Sequence, residues 1–199
     1  MSIMVKICGL HDAAGVAAAV ESGARAIGFV FTESVRRVTT RQANDASREI
    51  GADVQRVAVM RHPTNDEWRA VLDEFAPDVL QTDIEDFDAL DVPDSVIRWP
   101  VLREGSAALE NELPGVFVYE GANSGRGETV DWPRAAAIAK RGRMILAGGL
   151  SAGNIATALS AVYPWGVDVS SAVECRPGIK DPDLIRQFIQ AVQAAETSS

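Results

Sequence analysis

A lysine and a cysteine share one face of a short apolar segment near the beginning of the sequence. In Val5-Lys6-Ile7-Cys8 the apolar and polar residues alternate with the period of a β-strand, and Gly9 allows the chain to turn away directly afterwards. Cys8 has two interpretations. It is either a small residue of the core, as most free cysteines are, or a catalytic thiol at the end of a strand. The other strand ends must decide between them.

The rest of the sequence alternates predicted strands with predicted helices. We expect strands at residues 5–8, 26–31, 55–60, 78–82, 96–102, 115–119, 144–147 and 167–169. We expect helices at residues 12–21, 40–50, 65–75, 132–141, 154–162 and 181–194, with short or degenerate helices at 84–90 and 106–109. Eight strand–helix units of about 25 residues favour an α/β fold of the (βα)8 TIM barrel type. We predict one barrel domain at residues 1–195 and a frayed tail at 196–199.

Several of these strands end in residues that can act on a ligand. In a (βα)8 barrel the carboxyl ends of the strands and the loops after them form the functional face. The polar residues at these positions are Cys8, Arg36, Arg37, Gln81, Asp83, Glu120 and Asp168. We expect their side chains to meet at one mouth, where Glu120 faces Cys8.

Two loops have the composition of a phosphate site. Gly148 and Gly149 follow the seventh predicted strand, and Ser170 and Ser171 follow the eighth. In this architecture those two loops bind phosphate through backbone amides and a nearby helix start, here at Asn154. A glycine pair alone would indicate only a tight turn, but both loops occur in the expected order. We therefore predict that these two glycines and two serines bind phosphate.

A glycine-rich segment at residues 121–131 follows Glu120. Such a segment is typical of a loop that folds over a bound ligand. It is not a P-loop, because no Gly-Lys-Ser or Gly-Lys-Thr follows the glycines. At its end, Asp131 is expected to cap a helix that begins at Trp132.

The composition excludes several classes of protein. A net charge of −9 argues against nucleic acid as a partner. No apolar run approaches about twenty residues and no secretory signal is recognisable, so we expect a cytoplasmic protein without a membrane partner. Cys8 and Cys175 have no spacing that suggests a disulfide framework or a metal site. The expected ligand is a small phosphorylated molecule, and the oligomeric state is left open between monomer and homodimer.

A series of short motifs runs through nearly the whole chain. They are Lys6-Ile-Cys-Gly-Leu10, Gly28-Phe-Val-Phe31 with Ser34 to Arg37, Asp78-Val-Leu-Gln81, Gly125-Arg-Gly127 with Val130-Asp-Trp132, Leu146-Ala-Gly-Gly-Leu150, Val167-Asp-Val-Ser-Ser171 through Glu174, Pro177-Gly178 and Lys180-Asp181. No single motif is decisive, but in this order they resemble the phosphoribosylanthranilate isomerase family of tryptophan biosynthesis. The fold of that family is the eight-stranded barrel.

The resemblance implies an Amadori rearrangement of an N-linked ribosyl phosphate to a 1-amino-1-deoxy-ketose, without metal or organic cofactor. It implies that Cys8 is the base that removes the C2′ proton and that Glu120 is the acid that protonates the furanose ring oxygen. The substrate-binding residues that it implies are Lys6, Arg36, Gln81 and Asp168, with Arg37 as the alternative to Arg36 beside the anthranilate group. Because the base must be a thiolate, we expect Lys6 to lower the pKa of the Cys8 thiol.

The sequence departs from the family pattern at three positions. The acid of the family is normally aspartate, whereas this chain has Glu120, with one more methylene of reach. Asp83 stands where the family usually has a histidine after the fourth strand, and His11 stands where it has a threonine. None of these changes removes a group that the reaction needs.

Three other functions are compatible with parts of the pattern. A related barrel isomerase of histidine biosynthesis would share the phosphate loops, but it usually has an aspartate at the position of Cys8. A noncatalytic module that binds a phosphorylated ligand would use the same loops. A thiol redox protein would need Cys8 and Cys175 to pair, and no Cys-x-x-Cys spacing suggests this.

The charge composition predicts a protein that is stabilised by salt. Aspartate and glutamate total 28 residues against 19 lysines and arginines, an excess suited to a high-salt habitat. We expect the free energy of unfolding, measured by urea denaturation, to rise between low and molar NaCl because salt screens the repulsion. Equal stability at both concentrations would contradict this expectation.

Overall fold

Eight short strands pair in parallel, each with the next along the chain, and the last pairs with the first to close a barrel. The computed structural model describes residues 2–110, 112–121 and 129–197. The strands are β1 (Met4–Cys8), β2 (Ala26–Val30), β3 (Gln55–Val59), β4 (Val79–Asp83), β5 (Ile97–Arg103), β6 (Val116–Glu120), β7 (Arg143–Leu146) and β8 (Gly166–Val169). The predicted (βα)8 barrel is confirmed.

In the described part of the chain, six α-helices surround the barrel. They are α1 (Ala13–Ser22), α2 (Thr40–Ala46), α3 (Asn65–Phe75), α4 (Trp132–Ala139), α5 (Ile155–Val162) and α6 (Pro182–Thr197). The connections after β4 and β5 contain only the 3₁₀ helices Ile84–Asp88 and Ala107–Glu110, as their weak helical pattern predicts. This is how a chain of 199 residues accommodates eight units.

The interior of the barrel has two layers. Side chains of alternate strand residues point inwards, and towards the amino ends of the strands most of these form an apolar cluster, which reaches the cavity at Val101 and Ala147. Its buried members are Met4, Ala26, Val57, Val79, Trp99, Val101, Val118, Ile145 and Ala147. Two or four residues further along β1, β4, β5 and β6, the inward positions become polar, at Lys6, Gln81, Arg103 and Glu120. The outward-facing residues pack beneath the helices in a second, larger cluster.

The structure corrects the predicted elements in three places. Helix α2 ends at Ala46 instead of near residue 50. Just after this end, the Ser47 hydroxyl donates a hydrogen bond to Ala43 O at 2.7 Å. A hairpin that was not predicted, β9 (Glu174–Arg176) and β10 (Ile179–Lys180), follows β8. Residues 196 and 197, expected in the tail, are helical, and the Glu196 carboxylate accepts a hydrogen bond from Ile3 N.

Most of the glycine-rich segment after Glu120, including the motif Gly125-Arg-Gly127, lies outside the described residues. The expected cap at its end is present, because the Asp131 side chain accepts a hydrogen bond from Arg134 N at 2.8 Å. Within the described part of the chain, no helix has the length and apolar character needed to cross a membrane.

The closure of the barrel leaves no room for a side chain at Gly166. A Cβ there would lie 2.8 Å from Met4 Cε and 2.9 Å from Met4 O on the neighbouring strand. We expect Gly166→Ala to lower the free energy of unfolding by roughly 1–3 kcal/mol, since the backbone contact cannot relax by a rotamer change.

The control is Gly115→Ala before β6, where a Cβ would meet no atom within 4 Å. Urea denaturation should show a change within about 0.5 kcal/mol for this variant. Equal stability of the two variants would contradict the steric argument.

Candidate active site

The polar ends of the strands surround a cavity of about 340 Å³ at the carboxyl end of the barrel. Its lining includes nine of the ten predicted site residues: Cys8, Arg36, Gln81, Glu120, Gly148, Gly149, Asp168, Ser170 and Ser171. The tenth, Lys6, lies beneath them and is fully buried. Arg36 lines the cavity, whereas Arg37 is exposed and does not. The structure therefore brings the predicted residues to one place.

A buried ion pair forms the floor of this cavity. Lys6 Nζ donates a hydrogen bond to Asp168 Oδ2 at 2.8 Å, and the side chains are 0% and 8% exposed. The two residues are directly opposite each other in the pairing of β1 with β8. Gly28 makes room beside them, because a Cβ there would lie 3.2 Å from both Lys6 Nζ and Cys8 Sγ. The absence of a side chain at position 28 thus leaves space for the Lys6 amine and the Cys8 thiol to lie next to each other.

The surroundings of Cys8 keep its thiol protonated in the resting protein. Burial raises the pKa of Cys8, and the neighbouring Asp168 raises it further. Lys6 lowers it by charge and hydrogen bonding, but the net direction is upward. Lys6 thus lowers the pKa of the thiol, as the sequence analysis expects, but the desolvation of a thiolate outweighs the attraction of the amine, which the sequence analysis did not consider. Asp168 and Cys8 in turn raise the pKa of Lys6 against the effect of its burial, which keeps the amine charged.

Two buried oxygen atoms in the lining have no hydrogen-bond donor among the described residues. Gln81 Oε1 and Asp168 Oδ1 make no hydrogen bond with any described residue. Both side chains are more than nine-tenths buried. Because an unsatisfied buried acceptor is costly, these atoms are suited to accept hydrogen bonds from the hydroxyl groups of a ligand.

The predicted phosphate loops after β7 and β8 lie side by side at one edge of the cavity. Gly148 and Gly149 have φ angles of 90° and 61°, in the left-handed region where glycine is favoured. The side chain of Asn154 holds this loop, since its amide donates to Gly149 O at 2.8 Å and its oxygen accepts from Ser151 N at 2.8 Å. The loop can therefore present backbone amides to an anion.

The second loop is held from below by Lys180. Its Nζ donates to Ser170 O at 2.8 Å and lies 3.2 Å from Ser170 Oγ. The Ser170 hydroxyl in turn donates to Cys8 O at 3.0 Å. This chain of hydrogen bonds ties the loop after β8 to the end of β1.

Arg36 is held by a buried glutamate. Its Nε and Nη2 donate to the two carboxylate oxygens of Glu174 at 2.6 and 3.0 Å, while Nη1 makes no hydrogen bond with the described residues. Lys180 Nζ contacts the same carboxylate at 2.6 Å, and Gly178 N donates to it at 3.1 Å. Burial alone would raise the pKa of Glu174, but these hydrogen bonds lower it to about 2.

Glu120 belongs to a second ion-paired group, on the opposite side. Arg103 Nη1 pairs with Glu120 Oε1, and Arg103 Nη2 lies 2.6 Å from Asp83 Oδ1. Asp83 also lies 3.4 Å from His62 Nε2 and 3.8 Å from Arg61 Nε. The position where the resembled family has a histidine thus carries an anion that is paired with an arginine.

The sequence analysis gave no role to Arg103, Glu174 or Lys180. Arg103 is the last residue of β5 and so obeys the rule that singled out the other strand ends. A boundary placed one residue earlier, at 102, left it outside the predicted strand. Glu174 and Lys180 were noted only as parts of motifs, and their contacts depend on the hairpin that was not predicted.

Comparisons with known proteins agree with this geometry. The sequence model of N-(5′-phosphoribosyl)anthranilate isomerase matches residues 5–191. A protein of that name from Listeria monocytogenes is 36% identical over 207 residues, which cover 98% of this chain and all of that protein. The solved phosphoribosyl anthranilate isomerase from Thermotoga maritima is 28% identical, with a TM-score of 0.83, over 96% of this chain and 99% of that one.

A further solved isomerase contains a ligand. It is a phosphoribosyl anthranilate isomerase in complex with reduced 1-(o-carboxyphenylamino)-1-deoxyribulose 5-phosphate. It is 27% identical to this chain, with a TM-score of 0.81, and the match covers 96% of this chain and 99% of that one.

The contacts of Glu174 predict a pH-dependent contribution to stability. Because its pKa falls from 4.5 to about 2 on folding, the contribution is complete above about pH 4.5 and is lost as the pH falls towards 2. We expect Glu174→Gln to lower the free energy of unfolding by about 2 kcal/mol at pH 7 and by progressively less below pH 4.5. Urea denaturation at a series of pH values measures this difference.

Glu85→Gln, at an exposed position after β4, is the control and should differ little from the parent protein at any pH. A loss for Glu174→Gln that stays constant from pH 7 to pH 3 would contradict the ionic explanation.

Proposed function

Since the chain belongs to the N-(5′-phosphoribosyl)anthranilate isomerase family, we propose that it catalyses an Amadori rearrangement by general acid and base catalysis. The substrate is N-(5-phosphoribosyl)anthranilate and the product is 1-(o-carboxyphenylamino)-1-deoxyribulose 5-phosphate, in tryptophan biosynthesis. The observation that carries the proposal is one cavity lined by a thiol, a carboxylate and two phosphate-type loops. A proton donor, a proton acceptor and an anchor for the substrate are the groups that this reaction requires.

The two loops after β7 and β8 bind the phosphate. The backbone amides near Gly148 and Gly149 and the hydroxyl of Ser171 supply donors for its oxygens. Ser170 lines the same edge and holds its loop in place, since its hydroxyl donates to Cys8 O. With the phosphate at this edge, the ribose lies over the floor of the cavity. There Gln81 Oε1 and Asp168 Oδ1 accept hydrogen bonds from sugar hydroxyls.

Glu120 begins the reaction. The carboxylate that pairs with Arg103 takes a proton from solvent. The resulting carboxyl group donates this proton to the furanose ring oxygen as the bond between that oxygen and C1′ breaks. The lone pair of the anthranilate nitrogen forms a double bond to C1′, which gives a protonated Schiff base. Glu120 is left as a carboxylate.

Cys8 completes the rearrangement. Its thiol, which is protonated in the resting protein, first loses that proton to solvent. The thiolate then removes the proton from C2′, the electrons of that C–H bond form the C1′–C2′ double bond of an enolamine, and the electrons of the C=N double bond return to the nitrogen. Tautomerisation of the enolamine gives the ketose. The charged Lys6 supports the thiolate at this step, since an ammonium group beside a thiolate offsets part of its desolvation.

Arg36 meets the anthranilate carboxylate. Glu174 engages Nε and Nη2 of the guanidinium and so orients it, and Nη1 remains to bind the substrate. An arginine is suited to this role because its planar donors match a carboxylate.

The test is the conversion of freshly generated N-(5-phosphoribosyl)anthranilate, followed by the loss of its fluorescence, at low and at high salt. We expect Cys8→Ser and Glu120→Gln to reduce kcat by about 10²–10⁴-fold each, as is usual when a general acid or base is removed. Circular dichroism should show that both variants are folded.

Cys175→Ser is the matched control, because this second cysteine is exposed in the hairpin and outside the cavity. It should retain the parent activity. A folded parent protein without activity at any salt concentration would contradict the proposal and direct the assay to the histidine-pathway substrate. Retained activity in Glu120→Gln alone would leave the reaction in place and exclude Glu120 as its acid.

A further inference from the structure

One arginine spans the gap between two carboxylates at the mouth of the cavity. Arg103 pairs with Glu120 through Nη1 and with Asp83 through Nη2, the latter at 2.6 Å. The side chains of the two acids are 15% and 6% exposed, and that of the arginine is 21% exposed. All three line the cavity. The group is therefore a largely desolvated bridge and not a surface ion pair.

The strand register explains why the bridge forms. Arg103 is directly opposite Glu120 in the pairing of β5 with β6. Asp83 is directly opposite Val101 in the pairing of β4 with β5. Because residues two apart in a strand share a face, Arg103 is the next residue along the inward face from Val101. Its side chain lies between the two acids at the ends of the neighbouring strands.

The charges require a cation at this position. Two carboxylates on either side of one strand would repel each other, since both are largely shielded from water. A guanidinium group offers separate N–H donors to each of them in a fixed plane, whereas an ammonium group is a point charge. Arg61 and His62 are the other basic groups near Asp83, at 3.8 and 3.4 Å, so Asp83 is held from two sides.

The bridge also accounts for the glutamate at position 120. A glutamate has one more rotatable bond than the aspartate of the resembled family, and this freedom must be lost before the carboxyl group can act. Arg103 restricts the side chain before the substrate arrives. It also stabilises the carboxylate that forms as the proton leaves Glu120.

We propose that Arg103 is a positioning residue that holds the Glu120 carboxyl group over the cavity, and that Asp83 anchors Arg103 in this orientation. The inference rests on the proposed function, because Glu120 is the acid through which Arg103 acts. It assigns a role to two side chains that the reaction scheme above does not use.

The test is steady-state kinetics of Arg103→Gln, Arg103→Lys and Asp83→Asn with the same substrate. We expect Arg103→Gln to lower kcat by about 10–100-fold with little change in KM, since a misplaced acid slows the proton transfer more than binding. Arg103→Lys should recover part of this loss, because an ammonium group restores the charge beside Glu120 without spanning both acids. Asp83→Asn should give a smaller loss of kcat in the same direction.

Double variants separate a positioning role from a direct one. If Arg103 acts through Glu120, then Arg103→Gln in the Glu120→Gln background should cause no further loss of kcat. A further loss by the full factor would overturn the proposal. Arg69→Gln is the control, because it breaks an exposed ion pair with Asp91 outside the cavity and should leave both kinetic constants unchanged.

The remaining outcomes distinguish this inference from the proposed function. If Glu120→Gln is inactive while Arg103→Gln has the parent kcat, the inference is wrong and the acid assignment stands. If Arg103→Gln raises KM alone, Arg103 binds the substrate and is not a positioning residue. If Glu120→Gln is fully active, both assignments fail. Should Arg103→Gln not fold, Arg103→Lys and Asp83→Asn decide the question, and parent kcat in both would overturn the inference.

Discussion

The buried pair between Lys6 and Asp168 is the interaction on which the rest of the structure depends. The two residues are directly opposite each other where the first strand meets the last, so their ion pair lies on the seam that closes the barrel. Loss of either partner would leave an uncompensated charge in the interior, which is far more costly than loss of a surface pair. The same pair forms the floor of the cavity and sets the electrostatic surroundings of Cys8.

Above this floor, each cation at the cavity is matched by acids. Glu174 joins Arg36 to Lys180 on the side of the phosphate loops, and Arg103 joins Glu120 to Asp83 on the other side. These contacts hold long side chains in one rotamer before a ligand binds, so the entropy cost of ordering them is not added to the free energy of binding. On the side of the phosphate loops two cations share one acid, which leaves a local excess of positive charge within a chain of net charge −9.

In the barrel interior, the residues that stabilise the fold lie towards one end of the strands, and the residues of the candidate site lie at the other end. On β5 the inward face changes from Trp99 and Val101 in the apolar cluster to Arg103 at the cavity. On β1 it changes from Met4 to Lys6 and Cys8. Since the apolar layer supplies the packing, the polar layer can carry unsatisfied acceptors and buried charges that would not support a fold by themselves.

The sequence by itself determined the strands, most helices and most residues of the candidate site. Alternation with period two marks a strand and its two faces, and the topology of a (βα)8 barrel then sends every strand end to one mouth. Only the tertiary structure decided which side chains pair there. The partners of Arg103 are 17 and 20 residues away, and those of Arg36 and Lys6 are 138 and 162 residues away. Such pairs depend on strand register, barrel closure and a hairpin whose local signal is only the Pro177-Gly178 turn. The upward direction of the Cys8 pKa also depends on the tertiary structure. Its largest cause is burial, which is a property of the whole fold and not of the segment around the thiol.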